Sequence, residues 1–353
     1  MKKPKLIDVL FFVEHVDREM QGTKEIKKWL EENCGLSVHI ASIGFGLFQS
    51  WKRFTPKVLC LPYCKSKKSV MVRLFKTRNP QTIVINLNYE QLLSSVTEKY
   101  KRPQDQFAKD ELVHFTWGEH FKNYLISNGV KKENIHVVGK PEIQFLLNLK
   151  KSTGDNFRTD IANKEGLNVT KTWIFIPIND GPAFRSQQFI EALVKKGGAN
   201  LDDLVMAKES TLKQINILFE WISRLSVTNN LEFVYRPHPG VDITNYTPLL
   251  EKYKLNNNNA FHLTRSFTIK EWLCSSQICI SNISTTMVDA QIVGMDTYIF
   301  MPSLLADKRR ADWLQAFTPI NSYNDFVDCL SCSSNAETHY DNYYIDITGD
   351  VIE

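Results

Sequence analysis

The chain has no run of 18 apolar residues, so no helical membrane span is expected. Its first apolar stretch, LIDVLFFV, is short, contains Asp8 and is followed by charged residues. It reads as a buried strand rather than a leader, and no signal peptide is expected. No internal repeat and no glycine-rich P-loop occur. Seven cysteines (Cys34, Cys60, Cys64, Cys274, Cys279, Cys329 and Cys332) are an odd set in 353 residues. They make no disulfide framework and lack the further ligands of a zinc finger, so they are expected as thiols in a reducing cytoplasm. Acidic residues are missing from 51–78, where nine Lys and Arg are interleaved with Trp51, Phe54, Tyr63 and Phe75. That surface suits anionic head groups or a phosphorylated acceptor; a solvated helix face is the alternative. No nucleic-acid-binding motif accompanies it, and a net charge of +4 does not argue for one.

With 43% hydrophobic and 23% charged residues, the length suggests two packed domains. Residues 5–13 read as the first strand, 22–33 as a helix and SVHIASI as the second strand, with Gly44-Phe45-Gly46 as a turn. TIVINL, LVHFT and NIHVV continue the strand–helix alternation, with a Trp117-Gly118-Glu119 turn and Gly129 ending a helix. Residues 150–170 are polar without apolar period and read as a linker. WIFIPIND opens a second sheet with the exit loop Asn179-Asp180-Gly181-Pro182, and 208–226 form an amphipathic helix. Residues 303–330 read as helical. Alternation of this kind implies parallel sheets, whose ligands sit beyond the carboxyl ends of strands.

The stretch from Leu231 to Pro302 concentrates the chemistry. LEFVY runs into Arg236-Pro237-His238-Pro239-Gly240, and ICIS runs into Asn282, Ser284, Thr285 and Thr286 before a helix carrying Asp289. One loop offers a guanidinium and an imidazole, the other hydroxyls and backbone N–H groups at a helix start. Together they suit a nucleotide phosphate. Capping of the sheet and of the helix is the alternative for each loop alone. In the first half, Glu14 follows strand one, the expected place for a general base, with His15 and Glu119 as runners-up. A loop carboxylate paired with Arg18 is the structural alternative. Lys140, in the Gly-Lys-Pro turn between NIHVV and a helix that starts at PEIQFLL, reaches either a phosphate or the surface.

FVEHVDRE, WGEHFKNYLISNGVKKENIHVVGKPEIQFL, RPHP and SNISTTMVDA, in that order, resemble the bacterial surface carbohydrate biosynthesis proteins. The last two blocks are also similar to polysialyltransferases, capsule Kdo transferases and CDP-glycerol glycerophosphotransferases. The resemblance covers about a third of the chain. It implies a GT-B α/β fold: two Rossmann-like parallel-sheet domains facing a central cleft. The expected domains are 1–160 for the acceptor and 161–353 for the nucleotide-sugar donor, with the tail free to pack back on the first. It also implies a glycosyltransferase of surface polysaccharide biosynthesis, moving a sugar from a CMP-, CDP- or UDP-linked donor to a glycan or lipid-linked acceptor. Arg236, His238, Ser284, Thr285 and Thr286 would hold the donor phosphate and stabilise its charge, with Asp289 at the ribose. Glu14 would be the base, and Arg18 and Lys140 would face acceptor or phosphate. Asp-x-Asp does not occur, so no metal and no cofactor are expected. Lys140 and Glu142 stand where Asn and Arg are usual in the family, which puts the acceptor side in doubt. The expected place is the cytoplasm, with contact at the inner face of the membrane through 51–78 left open. A nucleotide-sugar epimerase and a non-catalytic nucleotide-binding partner of a transferase are the competing readings.

Overall fold

The computed structural model describes residues 3–94, 97–195, 200–225, 230–302, 311–331 and 344–347, without the side chains of 17, 18 and 153–156. The basic cluster 308–310 and Cys332 lie outside the described residues. The chain divides into two compact units, 1–145 with 341–353, and 146–340.

Among the described residues, twelve strands form two six-stranded sheets, all of whose pairings are parallel. In the first unit β1 (Lys5–Val13), β2 (Val38–Ser42), β3 (Phe54–Leu61), β4 (Ile83–Asn86), β5 (Val113–Thr116) and β6 (Ile135–Val137) take the order β2-β1-β3-β4-β5-β6. In the second, β7 (Thr172–Ile176), β8 (Leu231–Tyr235), β9 (Phe261–Leu263), β10 (Ile278–Ser281), β11 (Asp296–Phe300) and β12 (Thr318–Ile320) take the order β12-β11-β10-β7-β8-β9. Both are doubly wound. Strand order therefore reverses between β1 and β3 in one sheet and between β7 and β10 in the other, and these switch points are where such sheets open a crevice for ligands.

The strand sequences explain the burial. β1 ends in a continuous buried run from Val9 to Val13, and Trp173–Ile176 of β7 are wholly buried. Unbroken apolar strands are what a sheet covered on both faces requires. In the first unit, α1 (Val16–Cys34) covers one face through Ile26 and Leu30. Helices α2 (Ile43–Arg53) and α3 (Val70–Arg78) cover the other through Ile43, Leu47, Trp51, Val72 and Phe75. α1 ends on Gly35 in the left-handed conformation (φ 65°), whose N–H caps Leu30 O.

Three expectations change. Residues 303–330 are not helical throughout: among the described ones a short 3-10 turn (Asp312–Ala316) leads into β12, and a helix forms only at Tyr323–Ser331. Gly44-Phe45-Gly46 is the first turn of α2, not a loop. A Cβ on Gly46 would stand 3.1 Å from Cβ of Ala41, so this glycine lets the helix lie close on β2. Residues 150–170 are not a linker: a helix runs from Pro141 to Glu165. Its apolar residues cluster at the start, where Ile143 and Leu146 are buried, and return only at Ile161 and Ala162, so 150–160 shows no period; Leu146, Ile161 and Ala162 seat the helix on the second unit. Of the tail, Ile345 is fully buried, the Asp346 N–H donates to Trp117 O (2.7 Å), and the Tyr344 ring lies 4.8 Å from that of His120.

One buried network sets a pH limit. His114 Nε2–H donates to Ala108 O at 2.8 Å, and Nδ1 faces the amide groups of Asn86 and Asn88, each at 3.4 Å. Those partners hold the ring neutral, and burial lowers its pKa. His39 and His262 are shifted the same way, also chiefly by burial. Because the folded value lies below the unfolded one, the unfolded chain binds more protons as pH falls below about 6.5. Stability is therefore full above that pH and declines below it, by at most about 1.4 kcal/mol per pH unit for each histidine. Urea midpoints at pH 7.5 and 5.5 should show the loss, and His114→Gln should remove the His114 share of it.

Candidate active site

The β7–β10 switch point collects four exit loops. After β7, the Asn179 N–H donates to Oδ1 of Asn282 (2.8 Å), and the Asn282 amide donates back to Asn179 O (3.3 Å). This closes the loop after β7 against the one after β10. Asp180, fully buried, accepts three hydrogen bonds: Tyr235 O–H (2.9 Å), Tyr246 O–H and the backbone N–H of His238 (3.0 Å). Burial pushes its pKa up, and the donors from Tyr246, His238 and Tyr235 act against that rise. The carboxylate thus pins the Arg236–Gly240 loop by its backbone.

The pinned loop carries the two predicted groups. Arg236 continues the β7–β8 ladder through its N–H to Ile176 O (3.0 Å) and is half-buried, with Nη1 donating to Ser266 O (2.8 Å). Burial and then the charge of Arg265 lower its pKa. Arg265, after β9, also donates to His238 O (3.4 Å). His238 is exposed, and its Nδ1 accepts from the Gly240 N–H at 3.1 Å. A neutral ring in that arrangement carries its proton on Nε2, which leaves Nε2–H as a donor for a ligand oxygen.

The loop after β10 differs in one respect from expectation. The Thr286 N–H is taken by Oγ of Ser284 at 3.3 Å, and the amides of Met287 and Val288 are bonded to Ser284 O and Thr285 O. Thr286 is buried at the start of a seven-residue helix, Thr286–Ile292. What the loop presents is the partly exposed pair Ser284 and Thr285, rather than a free Thr286 amide. Asp289, partly buried in that helix, lies near Cys279, whose thiol is raised by burial and by the Asp289 charge.

In the first unit the β1–β3 switch point holds Glu14. Its exposed carboxylate accepts from Tyr63 O–H (3.3 Å), which comes from the loop after β3, and lies 3.8 Å from His15 Nε2. The Tyr63 pKa is raised by burial and then by Glu14. Glu19, almost wholly buried, accepts the Glu14 N–H at 2.8 Å and so fixes the backbone beneath it. Arg18 lies in α1 with its side chain outside the described ones. Glu119 begins a nine-residue helix, exposed and bonded to Lys122 Nζ at 2.7 Å. Lys140 is buried, its ammonium 5.2 Å from the centre of the Trp117 ring. Glu142 is buried close to Gly22, and its charge helps raise the pKa of Tyr89, although burial is the larger cause. The first unit therefore gathers Glu14, Glu119 and Lys140 on the carboxyl edge of one sheet, and the second gathers Arg236, His238, Ser284 and Thr285 on that of the other.

Asp180, Arg265 and Tyr63 were not singled out from the sequence as site residues. Asp180 follows an apolar strand just as Glu14 does, and that position was its signal. Arg265 follows FHL, three residues too short to register as a strand.

Two doubly wound parallel-sheet units in one chain are the GT-B plan. No protein-family model and no curated protein matches the chain. Among solved structures it is similar to the wall teichoic acid polymerase TagF soaked with CDPG (12% identity, 93% of this chain and 80% of that one, TM-score 0.56). It is similar to HepE of Anabaena in complex with UDP and glucose (9% identity, 94% and 91% of the chains, TM-score 0.51). It is similar also to a putative UDP-N-acetylglucosamine 2-epimerase from Listeria monocytogenes (13% identity, 93% and 89% of the chains, TM-score 0.57). At such identities the likeness speaks for the fold.

Proposed function

We propose that the chain is a glycosyltransferase of bacterial surface-glycan synthesis. It would take a sugar from a nucleotide-sugar (CMP-, CDP- or UDP-linked) and pass it to a glycan or lipid-linked acceptor of capsule or lipopolysaccharide type, in the cytoplasm. The observation that carries the reading is the second unit's switch point, where Asp180 holds a loop bearing Arg236 and His238 beside Arg265 and the Ser284–Thr285 hydroxyls. Two guanidinium groups and an Nε2–H donor suit a diphosphate or monophosphate, and they stabilise the charge that develops on a departing nucleotide. Asp289 is the candidate for the ribose. Lys140 and Arg18 belong to the acceptor side in this reading, with Glu14 as base. Contact of 51–78 with an anionic membrane completes the reading.

A thermal-shift series with CMP, CDP, UDP and GDP tests it, since a nucleotide bound by the native state raises Tm. One of the four should do so. Arg236→Ala and His238→Ala should each weaken that nucleotide about tenfold or more by calorimetry, a loss of at least roughly 1.4 kcal/mol per charge-assisted contact. Both variants should remain folded; the unliganded Tm of His238→Ala should be close to the parent's, and that of Arg236→Ala lower by the lost bond to Ser266 O. Equal affinity in both variants would reject the pocket. The epimerase reading is favoured by the Listeria neighbour. It predicts interconversion of a UDP-sugar with no acceptor present, whereas the transferase reading predicts transfer only when an acceptor is added.

A further inference from the structure

Between Glu32 and Glu90 the chain has no Asp or Glu, and within that span α2 and α3 lie side by side on one sheet face. The Trp51 indole N–H donates to Leu74 O (3.2 Å), and the Arg78 guanidinium lies 4.5 Å from the centre of the Trp51 ring. Both helices follow parallel strands and run back along them, so both begin at the carboxyl edge of the first sheet. At those starts the surface is not that of an ordinary solvated helix. Phe45 is 93% exposed, Phe48 61% and Val70 55%. Phe45 and Phe48 are three residues apart, on the side of α2 away from Leu47 and Trp51, which are packed inward.

The loop that leads into α3 is braced to display its cations. Asp105 accepts from Ser66 O–H (2.7 Å) and the Lys67 N–H (2.8 Å), and Ser66 Oγ accepts the Lys68 N–H (3.0 Å). The side chains of Lys67, Lys68 and Arg73 are exposed. Asp105 is the carboxylate that faces this loop; its three accepted bonds, the last from the Ala108 N–H, commit it to holding the turn. Other lysines of the span are engaged elsewhere: Lys57 with Asp8 (2.7 Å) and Lys76 with Glu111 (3.8 Å).

We propose that this surface docks on an anionic lipid bilayer, with Phe45 and Phe48 entering the boundary between head groups and acyl chains, and Lys67, Lys68 and Arg73 meeting lipid phosphates. Exposed aromatic rings beside exposed cations in an acid-free span match that one partner in both of its layers. A polyanion without an apolar layer leaves the two phenylalanines unexplained. The proposal extends docking beyond the basic stretch to α2. It places the membrane at the end of the unit that carries Glu14, whose partner Tyr63 belongs to the loop preceding Lys67.

Sedimentation of the full-length protein with phosphatidylcholine vesicles, with and without phosphatidylglycerol, tests it. Binding is expected to the anionic vesicles only, and raised salt should weaken it. Phe45→Ser with Phe48→Ser, and separately Lys67→Gln with Lys68→Gln, should each cut the partition coefficient about tenfold or more. Phe45→Trp should add indole fluorescence that brominated lipid quenches, a readout independent of the variants' stability. The proposal fails if the parent does not sediment, if the double serine variant binds like the parent, if the added fluorescence of Phe45→Trp is not quenched, or if homopolymeric RNA displaces the protein from vesicles. Its failure would leave nucleotide binding by the second unit untouched.

Discussion

Glu14→Gln is expected to lower transferase turnover by roughly a hundredfold or more, the scale of a lost general base. The change keeps the shape and the hydrogen bond from Tyr63, since an amide oxygen accepts as a carboxylate does. It also leaves the Glu14 N–H on Glu19, so the backbone at the end of β1 should not move. Nucleotide affinity should hardly change, because the proposed donor contacts all belong to the other unit. Glu119 already binds the ammonium of Lys122, and Glu119→Gln should stay within a few-fold of the parent. The measurement is steady-state turnover with the donor identified by thermal shift, together with calorimetry of the same nucleotide. If Glu14→Gln turns over like the parent while Tm is unchanged, Glu14 is not the base and His15 is next in line.

The fold was legible because parallel sheets need unbroken apolar strands, and LFFV, WIFI and ICIS are unmistakable as such. The exit loops were legible for the same reason: once strand ends are known, Glu14, Arg236, His238 and Ser284 fall at the carboxyl edges without further information. Three things were not. The full length of the helix from Pro141 to Glu165 hides: its start over PEIQFLL reads as helical, but between 150 and 160 Phe157 is the one apolar residue, which leaves no period. The pairing of β7 with β10, and of β1 with β3, is set by strand order, which no local pattern encodes, so the closeness of Asn179 to Asn282 and of Glu14 to Tyr63 could not be anticipated. The role of Asp180 depends on Tyr235 and Tyr246, whose hydroxyls point inward from a strand that reads as apolar and from a short helix in a stretch that reads as polar. Its burial was invisible because Asp in an exit loop is ordinarily solvated.

Asp180→Ala is expected to have the largest effect on nucleotide binding of any change outside the ligand-facing side chains. Removing the carboxylate leaves two buried tyrosine hydroxyls and the His238 N–H without their acceptor. Each orphaned donor costs about 1–3 kcal/mol, but the charge no longer has to be buried, so the net loss of stability should be about 3 kcal/mol. Nucleotide affinity should fall more than tenfold, because His238 loses the bond that fixes its backbone. Two further variants separate positioning from simple destabilisation. Tyr246→Phe removes one hydroxyl while leaving the His238 N–H on Asp180; it should lower stability by about 1 kcal/mol and leave affinity near that of the parent. Asp180→Asn offers an amide oxygen to the His238 N–H, and an NH₂ to hydroxyls that can accept it, so it should restore most of the affinity. The acid side adds a check of sign. Burial raises the Asp180 pKa above its ordinary value, so the folded state takes up its proton first, and stability falls as pH rises through that window. Asp180→Asn should abolish this contribution while Tyr246→Phe retains it. Equal loss of nucleotide affinity in Tyr246→Phe and Asp180→Ala would show that affinity follows stability alone, and Asp180 would then be a core residue with no hold on His238.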